Sequence, residues 1–220
     1  MLEGPNPLKV VGNYAADGYA HIQGLIPPEV AAAFLEKFRA DLGPNPVPIS
    51  RVTKFPSLLR RAALEAYGHH YYPMAFFLWG LTPIVSQIVG KDLLPTYDYL
   101  RIYQQGDTCG VHSDRYACEH SVSLTLGYSD GHSWDLEVER ARSEPSSRVD
   151  EQFSGEFGSV RMMPGDAVLY EGVHHRHGRT KPNPNRWSAH LFLHWVDSEG
   201  PYKDHAFDGK APQAVDFQFS

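Results

Sequence analysis

The sequence predicts a mainly β protein in which an N-terminal helical part supports an antiparallel β-sandwich. Before about residue 92, apolar residues recur at helical spacing, whereas from Leu94 onward short apolar segments are separated by Gly and Pro turns. Helical patterns followed by a series of strands indicate helices packed on an antiparallel sheet. We predict one domain over residues 1–220, with the helical support at about 18–92, the β core at about 94–197 and a tail at 198–220.

Proline and glycine set the predicted element boundaries in the first half. Pro28 suits the first turn of a helix, and the Gly43-Pro44 pair cannot continue one. Thr82-Pro83 is expected to cap a later helix that ends at Gly90. These signals predict a strand at 18–26 and helices at 28–42, 57–67, 74–80 and 83–89.

Alternation dominates the second half of the chain. Tyr97, Tyr99, Arg101 and Tyr103 are two residues apart, so on a strand they share one face. The polar segment 140–155 is expected to form an exposed loop or lid. Further strands are predicted at 121–128, 133–139, 158–163, 167–171 and 186–196.

The composition limits the classes of partner. The formal net charge is −6, which does not favour nucleic-acid binding, and no apolar run approaches the roughly 18 residues of a membrane span. The first seven residues lack the basic and apolar regions of a signal peptide, so a cytoplasmic location is expected. Cys109 and Cys118 are the two cysteines, and we expect reduced, half-buried thiols without a defined role. Nothing in the sequence predicts the oligomeric state.

A candidate metal-binding motif lies at His112-Ser113-Asp114. On an extended strand both side chains point the same way, so both can reach one ion. A third ligand must come from another strand, and His174, His175 and His177 are the candidates. Two histidines and one carboxylate are the ligand set of non-heme Fe(II) oxygenases, although this set also suits Zn²⁺.

Arg186 and Ser188 form a second candidate site. They share a face if they lie on one strand, and a guanidinium beside a hydroxyl can bind a carboxylate. Taken alone, Arg186 is better explained as a solvated arginine after the turn at 183–185.

Taken together, H-x-D, a distant His and R-x-S resemble the iron(II) and 2-oxoglutarate-dependent dioxygenase superfamily. Segments 94–115 and 164–170 resemble its prolyl-4-hydroxylase-like branch, and segment 18–29 is similar to the opening strand and helix of that branch. The resemblance covers about residues 18–197. It implies a double-stranded β-helix core (jelly-roll, cupin-like), with Fe(II) near one mouth and with 2-oxoglutarate and O2 as co-substrates.

The resemblance also suggests roles for individual residues. His177 has the superfamily's spacing to Arg186, which makes it the third ligand beside His112 and Asp114, with His175 next. Arg186 and Ser188 would hold the distal carboxylate of 2-oxoglutarate, where prolyl hydroxylases usually have a lysine. Tyr103, or otherwise Tyr99, would assist them. Arg115 would face the substrate or support Asp114.

The expected reaction is hydroxylation of an unactivated C–H bond, with succinate and CO2 as co-products. The substrate would be a small molecule, an amino acid or a peptidyl residue. Two alternatives stay open: a jelly-roll metal-binding protein without oxygenase activity, such as a binding or sensory module, and a Zn or Mn isomerase or hydrolase.

Overall fold

The computed structural model describes residues 8–43, 53–54 and 56–210, which contain three α-helices and twelve strands. The helices are α1 (Tyr14–Asp17), α2 (Pro28–Leu42) and α3 (Pro73–Val89). The strands are β1 (Lys9–Val11), β2 (Tyr19–Gln23), β3 (Thr53–Lys54), β4 (Ala63–Tyr67), β5 (Leu93–Gln104), β6 (Cys109–His112), β7 (His120–Tyr128), β8 (Leu136–Glu139), β9 (Phe157–Val160), β10 (Ala167–Tyr170), β11 (His177–Arg179) and β12 (Trp187–Asp197).

Two antiparallel sheets form the β core of the described residues. The larger has the order β1-β2-β10-β7-β12-β5-β4-β3, and the smaller has the order β6-β11-β8-β9. Helix α2 packs against β7, and helix α3 packs against β5. The mainly β class with supporting helices is therefore confirmed.

The central strands of the large sheet are buried on both faces. On β7 and β12, apolar residues such as Leu124 and Leu191 join the core beneath the helices. The alternate positions lie on the opposite face and are mostly polar, and two of them, Ser123 and His190, accept hydrogen bonds from Arg179 of the small sheet. Buried polar groups need hydrogen-bond partners. The space between the sheets is therefore better suited to a polar ligand than to a filling of apolar side chains.

The predicted helix at 57–67 is wrong. Residues 63–67 form β4, which pairs with β5 and places Glu65 opposite Arg101. The local sequence is rich in Leu, Ala and Arg, which are good helix formers, but tertiary pairing to a buried strand overrides that propensity.

The helices predicted at 74–80 and 83–89 are instead one continuous helix, α3. Pro83 lies inside it and removes one backbone donor. The Thr82 hydroxyl does not cap a new helix but donates to the carbonyl of Leu78 at 2.7 Å. Gly90 ends the helix in a left-handed conformation, as predicted.

After β12 the chain forms a 3-10 segment, Lys203–Gly209, that contacts β5 and the 3-10 segment Tyr116–Cys118. Among the described residues, no helix combines the length and apolar character needed to span a membrane. The single domain stays a prediction, because residues 1–7, 44–52, 55 and 211–220 lie outside the described residues.

Candidate metal centre

His112 and His177 face each other across two neighbouring strands. His112 ends β6, His177 begins β11, and the two residues are directly paired in the antiparallel ladder. Their ring centroids are 4.5 Å apart. Between His177 and Arg179, Gly178 allows close approach: a Cβ there would lie 2.8 Å from the Cys109 carbonyl oxygen. The pairing of β6 with β11 therefore places the two imidazoles side by side.

Both imidazoles are oriented by backbone carbonyls. His112 Nδ1 donates to Gly110 O at 2.8 Å, and His177 Nδ1 donates to His175 O at 3.0 Å. A carbonyl can only accept, so in the neutral ring each Nδ1 carries the proton and each Nε2 keeps its lone pair. This arrangement orients metal-ligating histidines in proteins.

The Asp114 carboxylate lies close to the Nε2 atom of both rings. Its Oδ1 is 3.5 Å from His112 Nε2, and its Oδ2 is 3.4 Å from His177 Nε2. Burial alone would raise the pKa of Asp114, but the positive charge and Nε2–H donation of His177 and His112 in their protonated forms hold that pKa well below its usual value, and a cation bound to the neutral rings would act in the same direction. The main-chain N–H of Asp114 donates to Gly172 O at 2.8 Å, which fixes the carboxylate relative to the segment preceding His177.

These three side chains fit a divalent metal ion. One ligand atom from each lies within 4.8 Å of the other two. Two donors that are each about 2.1 Å from one ion are separated by roughly 3–3.5 Å, close to the distances found here. Asp114 Oδ2 is buried and makes no hydrogen bond to the described residues, which suits a metal ion as its partner.

The two competing histidines lie elsewhere. His175 Nδ1 donates to Glu139 O at 2.9 Å, and its Nε2 packs against Gly18. His174 Nδ1 lies 3.2 Å from Ser143 O, and its Nε2 lies 3.0 Å from the Tyr202 hydroxyl. Of the three candidates, the structure brings only His177 to His112 and Asp114.

A narrow cavity between the two sheets opens beside these three residues, and two buried arginines line it. Arg101 is neutralised: its Nε donates to Glu65 Oε1 at 2.6 Å, and its Nη2 lies 2.5 Å from the same oxygen. Arg179 is 1% exposed, and its hydrogen bonds go to Trp134 O, Ser123 Oγ and His190 Nδ1, all uncharged acceptors. No ion pair joins it to a carboxylate in the described part of the chain. A buried charge without a counterion costs several kcal/mol, so Arg179 is suited to an anionic ligand.

Arg186 is not part of this cavity. Its side chain is 73% exposed, and its Nε donates to Asp130 Oδ1 at 3.2 Å on the surface. Ser188 is buried, but its hydroxyl donates to Asn183 Oδ1 at 2.7 Å and supports the preceding loop. Strand β12 starts only at Trp187, which leaves Arg186 in the turn. The predicted pair does not reach the three ligand candidates, and the structure corrects that placement.

Both predicted tyrosines line the cavity. The Tyr103 hydroxyl accepts from Arg101 Nη1 at 3.1 Å, so its own proton is free for another acceptor. Burial raises the pKa of Tyr103 to about 12, which keeps the hydroxyl protonated at neutral pH. Tyr99 stacks on Phe192 with 4.8 Å between ring centroids and contributes a flat wall.

Arg115 does not line the cavity. Its guanidinium packs 4.1 Å from the Tyr97 ring centroid and pairs with Asp208 at 2.8 Å. Among the described residues, no hydrogen bond joins Arg115 to Asp114. Arg115 therefore does not support Asp114 directly.

Arg179 is not among the residues predicted from the sequence. It follows His177 by two residues and therefore shares its face on a strand, which is a signal that the sequence does contain. The R-x-S pattern that resembles the superfamily lies further along the chain, at Arg186 and Ser188.

No family model matches the sequence, and no curated protein matches it. Solved structures are similar. A non-heme alpha-ketoglutarate (2-oxoglutarate) dependent epimerase, SnoN from nogalamycin biosynthesis, has a TM-score of 0.64 at 11% identity, over 93% of this chain and 89% of that one. The double-stranded β-helix fold is shared. A Pseudomonas putida prolyl-4-hydroxylase gives 0.53 at 14%, over 83% and 95%. HygX from Streptomyces hygroscopicus, with nickel and 2-oxoglutarate bound, gives 0.59 at 13%, over 84% and 85%. Identities this low establish the fold alone.

Proposed function

We propose that this protein is an Fe(II)- and 2-oxoglutarate-dependent oxygenase, with His112, Asp114 and His177 as its metal ligands. One observation carries the proposal: the three converging donors open onto a buried cavity that contains Arg179, a cation with no acidic partner in the described residues. A metal site beside an uncompensated guanidinium suits a chelating dianion such as 2-oxoglutarate.

Arg179 and Tyr103 would hold the distal carboxylate of 2-oxoglutarate. The guanidinium supplies the charge, and the free hydroxyl proton of Tyr103 supplies a second donor. His190 lies beside them: Arg179 Nη2 donates to its Nδ1 at 3.4 Å, which leaves a buried Nε2–H without a partner in the described residues. Burial and the two arginines hold the pKa of His190 well below its usual value, so this ring adds no competing charge.

Protein side chains would orient the bound ion and 2-oxoglutarate and would exclude water from the cavity. His112 and His177 keep their lone pairs toward the ion through Nδ1–H bonds, and Tyr99, Leu136 and Phe192 wall the cavity. When bound, iron with 2-oxoglutarate would supply oxidative decarboxylation of the keto acid coupled to oxidation of a substrate C–H bond. Similar folds include an epimerase as well as a hydroxylase, so the fold alone does not determine the reaction. We propose hydroxylation of a small molecule, an amino acid or a peptidyl residue.

The test is 2-oxoglutarate-dependent succinate formation by Fe(II)-loaded protein, with and without a panel of amino acids, proline peptides and small carboxylic acids. The wild type is expected to form succinate, and His112→Ala and Asp114→Ala are expected to lose it together with bound iron. His174→Ala is the matched control, because its ring lies outside the metal centre. Succinate formation that survives in Asp114→Ala would contradict the ligand assignment. Iron binding without any response to 2-oxoglutarate would favour a metal-binding jelly-roll protein instead.

A further inference from the structure

A second group of metal-binding side chains lies directly behind Asp114. One ligand atom each from Asp114, Cys118 and His194 lies within 4.8 Å of the other two, and Cys118 and His194 are nearly inaccessible to solvent, at 1% and 2%. The group is separate from His112 and His177 except for the shared carboxylate. A carboxylate, an imidazole and a thiol in one buried place are the donor types of Zn²⁺ sites.

Hydrogen bonds around this group prepare it for a cation. The Ser121 hydroxyl donates to the Cys118 carbonyl oxygen at 3.1 Å, and therefore accepts from His194 Nδ1 at 2.8 Å. The opposite nitrogen, His194 Nε2, then carries a lone pair, and it is buried without a hydrogen-bond partner in the described residues. A buried acceptor without a partner is costly unless a proton or a cation approaches it.

The Cys118 sulfur has the Tyr97 hydroxyl as its hydrogen-bond partner. The Tyr97 hydroxyl lies 3.1 Å from Cys118 Sγ, and the Tyr97 ring stacks on His194 with 4.5 Å between centroids. Burial and the Asp114 carboxylate raise the pKa of Cys118 well above its usual value, so the thiol keeps its proton until a bound cation displaces it; the Tyr97 hydroxyl can then donate to the metal-bound sulfur, as outer hydrogen bonds do for metal ligands. The same aromatic ring also fixes the orientation of the imidazole.

We propose that Asp114, Cys118 and His194 form a second metal site, selective for thiophilic divalent ions such as Zn²⁺, Co²⁺ and Cd²⁺. An ion there takes the Asp114 carboxylate that the group of His112, Asp114 and His177 also uses, so the two groups compete for Asp114. The inference goes beyond the proposed oxygenase function and does not depend on it.

Co²⁺ titration of the anaerobic apoprotein tests the proposal, because a thiolate bound to Co²⁺ gives an intense near-ultraviolet charge-transfer band. The titration uses the His177→Ala variant, which disables the first site and leaves the second group intact. We expect a sulfur-dependent band with one Co²⁺ per chain. It should disappear in His177→Ala/Cys118→Ser and persist in His177→Ala/Cys109→Ser, where the other buried thiol is removed.

A second substitution distinguishes loss of the metal site from misfolding of the protein. His177→Ala/His194→Gln keeps the thiol and a polar side chain, and is expected to bind Co²⁺ at least tenfold more weakly while retaining its circular dichroism spectrum. Folded protein without a sulfur band, or a band that survives the Cys118→Ser change, would overturn the second site. Neither result would bear on 2-oxoglutarate binding by the wild type.

Discussion

At the residue scale, the charge of Arg179 has the largest consequence for the proposed function. Arg101 is also buried, but Glu65 neutralises it, and Arg186 is exposed to solvent. Sequence spacing alone could not separate these arginines, because it does not show that β12 begins after Arg186. Strand parity does not separate His175 from His177, and only the resemblance to the superfamily favoured His177. Only the pairing of β11 with β6 brings His177 opposite His112.

The hydroxyl of Tyr103 gives a prediction at this scale. Tyr103→Phe removes a donor to the proposed carboxylate and leaves the ring packing on Trp134 intact. We expect the affinity for 2-oxoglutarate to fall about tenfold, in line with the roughly 1–1.5 kcal/mol typical of one hydrogen bond. Isothermal titration under nitrogen measures this directly. The control is Tyr128→Phe, because that hydroxyl donates to Met162 O. Equal affinities in wild type and Tyr103→Phe would remove Tyr103 from the carboxylate site.

At the element scale, the site depends on how closely β11 approaches β6. The ladder between them shifts register between His177 and Arg179, so Arg179 pairs with Cys109. The alternation along β5 was predictable, and it correctly placed Tyr99, Arg101 and Tyr103 on one face. The strand at 63–67 was not predictable, because its helix-forming residues become a strand only through pairing with β5.

Gly178 provides the prediction for these elements. In Gly178→Ala the new Cβ would lie 2.8 Å from Cys109 O and 3.0 Å from Gly110 O, and backbone atoms cannot rotate away. The two strands must separate, which misaligns His112 with His177. We expect iron affinity to fall at least tenfold and stability to fall by about 1–3 kcal/mol.

The matched control is Gly80→Ala in α3, where an added Cβ meets nothing within 4 Å. It should leave iron affinity unchanged and raise stability by about 0.5–1 kcal/mol, since alanine is the better helix former. Competition against a coloured chelator reports the affinities, and urea unfolding reports the stabilities. Wild-type iron affinity in Gly178→Ala would show that strand spacing does not control the site.

At the scale of the whole molecule, two sheets enclose a polar interior while the opposite face of the large sheet packs on helices. The sequence was sufficient for the fold class because helical spacing and alternation are local signals. The contents of the interior, including the Arg101–Glu65 pair and the polar group behind Asp114, depend on contacts between residues far apart in the chain. Such contacts leave no local pattern.

The buried carboxyl group of Asp98 makes the stability of the folded protein depend on pH. Its side chain is 4% exposed, and burial raises its pKa from 3.8 to about 6. The folded protein therefore holds a proton that the unfolded chain releases between about pH 4 and pH 6. Across that window Asp98 lowers stability as pH rises, by at most about 3 kcal/mol in total.

We expect Asp98→Asn to match the wild type near pH 4 and to become progressively more stable than it up to about pH 6, with a constant difference above. Urea unfolding of both proteins at several pH values gives this difference curve, in which the contributions of other titrating groups cancel. A difference that does not change with pH would mean that Asp98 is ionised freely in the folded protein.

The most direct test of the central claim is anaerobic titration of the apoprotein with Fe(II) and then 2-oxoglutarate, followed by visible absorption. Chelation of iron by the keto acid should produce a weak metal-to-ligand charge-transfer band in the wild type. The band should require at least tenfold more 2-oxoglutarate in Arg179→Ala, which loses a charge-assisted pair, and the same concentration as wild type in Arg186→Ala. Wild-type protein that holds iron and gives no band with 2-oxoglutarate would contradict the account.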